Sequence, residues 1–339
     1  MQPSENRIVR YGKECAKEWI NRYLNIHRKG DLNDILIVSS PRSGSTWLLN
    51  IIASQPGLKA INEPLNNYIL NYNRYLLSIV RKKYISLQSE EEKLLHHYFN
   101  GQYPIAHFGI TNIFSSQFHF FTNRRVIKTI WATPLLEFFS NWREYDLIYL
   151  IRHPISQSLS CIKRGHLPQI KLYLEDAFFL EKHLDNKMIT IMEEIDKKGT
   201  LLEKFVLEWC LDNIIPLKMI KQNILKGIFV AYEELVVQNQ RMIHWLAQTL
   251  KLTAEEKMIR QINVPSKVSN TSLPEVRKSI KKGDIQKIIG SWQKKLENKE
   301  RISLTKILET FEIDCYNVNK LLPNNFLLHF IKNAFIGEE

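Results

Sequence analysis

The stretch Ile35-Leu36-Ile37-Val38-Ser39-Ser40-Pro41-Arg42-Ser43-Gly44-Ser45-Thr46-Trp47 decides the fold. Its first four residues are a short, continuous, largely β-branched run, the pattern of a strand buried on both faces of a parallel sheet. From Trp47 to Ala53 the apolar spacing becomes helical, so a Ser/Gly turn joins a buried strand to a helix. Such a turn points backbone N–H groups and the positive end of the helix dipole at whatever lies against it, which suits a phosphate. Gly44 permits the tight curve, Ser43, Ser45 and Thr46 add hydroxyls, and Arg42 adds a planar, permanently charged fork for anionic oxygens. A kinase-type G-x-x-x-x-G-K-[ST] loop is excluded, because Ser39 stands at its first glycine and Ser45 at its lysine.

Outward from this unit, strands are expected at Lys59 to Asn62, Val126 to Thr129, Leu147 to Ile151 and Ile228 to Ala231. Helical patterns fill 171–195, 201–222 and 238–251, and the alternation predicts an α/β fold with three layers, α/β/α, around a central, mostly parallel sheet. The expected organisation is a helical N-terminal extension over 1–30, a main domain over 31–300 and a helical C-terminal segment over 301–339. Two parts of the main domain stand apart: an aromatic-rich insertion over 66–121 and a long, polar loop over 263–284.

A second strand-to-helix junction reads Arg152-His153-Pro154-Ile155-Ser156-Gln157-Ser158-Leu159-Ser160. Pro154 starts a helix, with Arg152 at its mouth and Ser160 about two turns along it. On these residues alone Arg152 fits a helix-entry ion pair as well as an anion ligand. Two further segments stand out, Tyr232-Glu233-Glu234-Leu235 after the last strand and Lys281-Lys282-Gly283-Asp284 followed by Gly290-Ser291-Trp292.

Together these segments resemble the PAPS-dependent sulfotransferases. Pro41 to Trp47 is similar to their 5'-phosphosulfate loop, and Arg152 with Ser160 matches the Arg and Ser of an R-[DHN]-P motif that grips the donor's 3'-phosphate. The resemblance implies the P-loop-NTPase-like sulfotransferase fold, PAPS as donor with PAP as product, and no metal. It also implies transfer of a sulfuryl group to a hydroxyl or amine of a small-molecule acceptor. Arg42, Ser43, Gly44, Ser45 and Thr46 would surround the 5'-phosphosulfate, and Trp47 would lie against the adenine or pack as a core residue. Tyr232 would contact the adenosine, and Lys281, Lys282 and Gly283 the 3'-phosphate. The insertion would form an acceptor pocket or lid, and 263–284 would cover the donor.

Sulfuryl transfer, like phosphoryl transfer, depends on positioning and on cations around the transferring group. Arg42 is the first candidate for that charge, and Lys128 occupies the position of the lysine in the family's K-T-H motif. The histidine of that motif is replaced by Ile130, which cannot take a proton. Glu63, in Ile61-Asn62-Glu63-Pro64, is the candidate general base instead, expected at an extended strand end because Pro64 disfavours helix there. His107, His119 and His153 are weaker candidates for that role. Two other readings fit parts of the pattern, a non-catalytic nucleotide- or nucleic-acid-binding module and a degenerate P-loop kinase.

The 339 residues, 44% hydrophobic, can bury a sizeable core. With 47 basic against 35 acidic side chains, the formal charge of +12 favours an anionic partner. Cys15, Cys161, Cys210 and Cys315 form no CxxC pair and read as reduced. No run approaches the ~18–20 apolar residues of a bilayer span. A cytoplasmic protein is expected, with no membrane insertion and no nucleic-acid partner; the oligomeric state is open.

Overall fold

The computed structural model describes residues 19–65, 89–100, 112–130, 132–265, 278–279 and 282–324, with Ala16. Its centre is a sheet of five parallel strands: β1 (Asp34–Ser39), β2 (Leu58–Asn62), β3 (Arg124–Ile130), β4 (Tyr145–Ile151) and β5 (Ile228–Ala231). The order is β2-β3-β1-β4-β5, so the quoted strand is the middle one. Parallel neighbours require crossovers, and these run through helices on both faces of the sheet.

The two faces explain the uninterrupted apolar run of β1. Leu36 and Val38 enter one core together with Ile127, Tyr149 and Trp209, whereas Ile35 and Ile37 enter a second core with Leu48, Ile52 and Leu246. Strand side chains alternate between faces, and here both faces are covered. The second core is closed by α1 (Ser45–Ala53), and the first by α2 (Ser89–Phe99), α3 (Leu136–Asn141) and the residues that follow α3. This is the expected three-layer α/β/α architecture.

Five further helices pack along the first core or beside it: α4 (Pro154–Lys163), α5 (Ile170–Leu174), α6 (Ala177–His183), α7 (Asn186–Lys198) and α8 (Leu201–Lys221); after β5 comes α9 (Tyr232–Val237), whose Leu235 is buried in the second core. The helical stretch expected over 171–195 is therefore three helices. Asp176 accepts the N–H of Phe179 at 3.0 Å and Asp185 that of Met188 at 2.8 Å, so each aspartate caps a new helix where a continuous one would have run. By contrast, α8 is a single 21-residue helix opened by a reciprocal capping box between Thr200 and Glu203. Then come α10 (Asn239–Thr249), α11 (Glu255–Ile262), α12 (Ile285–Gly290) and α13 (Asn298–Thr310). Leu304 and Ile307 of α13, with Phe311 and Tyr316 beyond it, are buried in the first core.

Within the helical N-terminal extension expected over 1–30, Ala16, Trp19 and the π-helical turn Ile20–Leu24 are helical among the described residues, and a two-residue strand, Ile26–His27, follows, parallel to Phe121–Thr122. Most of the loop expected over 263–284 lies outside the described residues. Cys161, Cys210 and Cys315 are buried and free, and Cys15 lies outside the described residues. Among the described residues no helix is long and apolar enough to cross a membrane.

Candidate functional site

The turn between β1 and α1 bends sharply: Arg42 has φ 67° and Gly44 φ 98°. A left-handed backbone is uncommon outside glycine, and holding Arg42 there costs about 1–2 kcal/mol. The carbonyl of Gly44 accepts the N–H groups of Trp47 and Leu48, at 2.9 and 3.2 Å, and no side chain caps the helix. The glycine is required by space as well as by φ. A Cβ on Gly44 would lie 2.5 Å from Cδ2 and 2.6 Å from Cε2 of Tyr232.

Tyr232, the first residue of α9, joins the two anion motifs. Its ring meets Trp47 edge to face at 5.6 Å, and the Arg152 guanidinium lies 4.5 Å from the ring centroid. Arg152 also donates to the carbonyl of Arg42 at 3.1 Å and to Ser156 Oγ at 2.8 Å. Its own carbonyl is held by the indole N–H of Trp209 at 3.0 Å. Arg42 in turn donates through Nε to Ser160 Oγ at 3.0 Å. The second motif thus grips the first, and its serine bonds the first motif's arginine.

Burial, then the nearby Arg164 and Arg152, lowers the pKa of Arg42, so its charge sits in a site with excess positive potential. Two buried polar atoms, Ser43 Oγ and Arg152 Nε, have no partner among the described residues. Buried donors are normally satisfied, and a bound anion would satisfy these.

Lys128 reaches the same place from β3. It is 2% exposed, donates to Asn62 Oδ1 at 3.2 Å and Thr46 Oγ1 at 3.3 Å, and forms an ion pair with Glu63. The parallel register that sets Asn62 opposite Lys128 brings these groups together. Burial pushes the Lys128 pKa down, and the Glu63 carboxylate opposes that shift. The expectation that Glu63 ends an extended strand is overturned. Its φ is 56°, and the left-handed step lets its N–H close on the Lys128 carbonyl at 2.6 Å.

Arg42, Gly44, Ser45, Thr46, Trp47, Glu63, Lys128, Arg152, Tyr232 and Gly283 line one cleft of about 320 Å³. Ser43 is fully buried and does not line the cleft. Ser160 is absent from the cleft wall and sits behind Arg42. Lys282 is exposed, and Lys281 lies outside the described residues. Trp47 is anchored by its indole N–H on the Ile262 carbonyl at 3.0 Å. Among the described residues no group of His, Cys, Asp and Glu has the arrangement of a metal site.

Of the histidines weighed against Glu63, neither of the two described ones lines the cleft. His153 is fully buried, donates from Nε2 to the Asn317 carbonyl at 3.2 Å and stacks on Trp292 at 4.5 Å; burial lowers its pKa to about 4. His119 bonds the carbonyl of Ala53 at 3.1 Å, and His107 lies outside the described residues.

Cleft residues that the sequence did not single out include His166, Asn239 and Ile262. His166 had a legible signal. Gly165, at φ 69°, ends α4 by donating to the Ile162 carbonyl at 2.9 Å while His166 donates to that of Cys161 at 3.2 Å. This is the Schellman arrangement that a Gly after a helix announces.

No protein-family model and no curated protein matches the chain. Two similar solved structures are the sulfotransferase domain from the Synechococcus PCC 7002 olefin synthase and the mouse sulfotransferase SULT7A1 complexed with PAP. The first is 15% identical over 85% of this chain and 98% of that one, with a TM-score of 0.39. The second is 12% identical over 95% and 94%, also with a TM-score of 0.39. Likeness at this level transfers no role to any residue, and the chemistry rests on the cleft itself.

Proposed function

We propose that the protein is a sulfotransferase that takes a sulfuryl group from PAPS, releases PAP, and transfers the group to a hydroxyl or amine of a small molecule. One observation carries the reading: Arg42, Lys128 and Arg152 converge on a single cleft, and the strand-to-helix loop and the Arg152 motif are bonded directly to each other. Two linked anion-seeking turns fit a nucleotide with phosphates at both its 5' and 3' positions better than they fit a single phosphate. Arg152 Nε, buried without a partner among the described residues on a residue that lines the cleft, supports the fit.

In the proposed reaction an acceptor oxygen or nitrogen forms a bond to sulfur. The bond from sulfur to the bridging phosphate oxygen breaks, its electron pair stays on that oxygen, and the acceptor's proton passes to Glu63. Arg42 and Lys128 oppose the charge that grows on the sulfuryl and phosphate oxygens. Arg152 and Tyr232 hold the nucleotide. The buried ion pair gives Lys128 a second task, to orient the Glu63 carboxylate toward the acceptor.

The test is sulfuryl transfer from sulfur-labelled PAPS to a panel of small alcohols, phenols and amines, with PAP release as a second readout. The reading expects labelled product and PAP in equal amounts from the wild-type protein and neither from Arg42→Ala. Transfer that survives in Arg42→Ala, or PAPS left intact with every acceptor class, counts against it.

A further inference from the structure

The peptide that joins Arg152 to His153 is held from both sides by buried side chains. Its carbonyl accepts the indole N–H of Trp209 at 3.0 Å, and its N–H is accepted by Glu233 Oε1 at 2.9 Å. The sheet register sets this up. Ile151, the last residue of β4, pairs with Ala231, the last of β5, and just beyond that pair the two chains bring Glu233 beside His153.

Both holds converge on Tyr316, in the segment that follows α13. Its hydroxyl donates to Glu233 Oε2 at 3.0 Å, and its ring meets Trp209 edge to face at 5.8 Å and His153 at 5.1 Å. Glu233, Trp209 and Tyr316 are all buried. A buried carboxylate is costly unless it is bonded, and Glu233 is bonded through both oxygens. Burial raises its pKa, while the His153 N–H and then the charge of Arg152 oppose that rise, so carboxylate and guanidinium favour each other.

The Arg152 guanidinium takes its direction from neutral groups. Among the described residues it bonds the Arg42 carbonyl and Ser156 Oγ and lies over the Tyr232 ring, with no carboxylate bonded to it. Where it points therefore depends on where its backbone is held. Small displacements of a positioned group carry large losses.

We infer that Glu233, Trp209 and Tyr316 are positioning residues for Arg152, so that the chain beyond α13 belongs to the donor site and helps the cleft tell a nucleotide with a 3'-phosphate from one without. The inference rests on the donor reading proposed above. None of the three residues lines the cleft, and each acts through the peptide between Arg152 and His153. A merely structural network would weaken the fold and both nucleotides alike.

The test is calorimetric titration of PAP and of 5'-AMP into the full chain as wild type, Tyr316→Phe and Trp209→Phe, beside a melting curve for each. Tyr316→Phe removes only the hydroxyl on Glu233, and Trp209→Phe removes the N–H on the Arg152 carbonyl. Each should lower PAP affinity by roughly fivefold or more, the scale of one lost buried hydrogen bond, and 5'-AMP affinity by less than about twofold. Added to Arg152→Ala, Tyr316→Phe should change PAP affinity by less than about twofold, because coupled residues do not add. A PAP preference that survives in the variants, equal losses for the two nucleotides, or additive losses in the double variant overturns the inference, whatever the melting temperatures do. Should one single variant fail to fold, the other decides on the same comparison. Wild type that binds both nucleotides equally sinks the donor reading itself, whereas a wild-type preference kept by the variants sinks only the positioning role.

Discussion

Lys128 on β3 and Glu63, the residue that follows the neighbouring strand β2, form an ion pair in which the lysine is 2% exposed and the carboxylate reaches the cleft. Glu63→Gln keeps the shape of the side chain and removes its basicity. Loss of a positioned general base lowers kcat by about 10²–10⁴. PAP affinity should not fall, because Glu63 is the one acidic group among the described lining residues of an otherwise basic cleft and offers the anionic nucleotide no attraction. The check is steady-state kinetics beside PAP calorimetry and a melting curve, since a buried lysine left without its partner also destabilises the fold. Near-normal turnover would remove Glu63 from the base role.

Gly44→Ala should damage both stability and nucleotide binding. The new methyl would meet the Tyr232 ring at 2.5 Å on a residue at φ 98°, so both steric and backbone strain oppose it, on the order of 1–3 kcal/mol for the backbone part. Combining it with Tyr232→Ala removes the clash while keeping the unfavourable φ. The double variant should therefore lose less than the sum of the two single losses, by more than about 0.5 kcal/mol in denaturant unfolding. Strict additivity would show that the Tyr232 contact does not constrain the loop.

Glu234 predicts a pH effect. It is 3% exposed, neither carboxylate oxygen has a partner among the described residues, and burial, then Glu233, raises its pKa to about 7. Between its unfolded pKa, near 4.5, and 7 the native state holds a proton that the unfolded chain has released. Stability therefore falls as pH rises through that window and levels off above it, by roughly 3 kcal/mol in total. Glu234→Gln mimics the protonated acid, so it should match wild type at pH 4 and exceed it at pH 8 in chemical denaturation. A difference that does not depend on pH would contradict this assignment.

How much of this was legible before any coordinates depended on how far each feature's cause lay along the chain. The strand and loop from Ile35 to Trp47 carry their cause locally, in the uninterrupted apolar run and the Gly at the bend, and the structure keeps both. The helix breaks at Asp176 and Asp185 were also local, two capping residues inside a stretch whose apolar spacing favoured one helix. The conformation of Glu63 was not local. It follows from a hydrogen bond to the carbonyl of Lys128, which the sheet register brings alongside from a distant strand. Arg152 shows the middle case. Its place at the mouth of a helix was readable, whereas its bond to the Arg42 carbonyl, which unites the two motifs, was not.

The central claim, a cleft built for a nucleotide phosphorylated at both 5' and 3' positions, is tested most directly by calorimetric titration of wild-type protein and Arg152→Ala with PAP and with 5'-AMP. A charge-assisted bond to the 3'-phosphate is worth about 1.5–3 kcal/mol. Wild type should therefore bind PAP at least ~tenfold more tightly than 5'-AMP, and Arg152→Ala should lose most of that advantage while its 5'-AMP affinity changes little. Equal affinities of wild type for the two nucleotides, or equal losses for both in Arg152→Ala, would contradict the account.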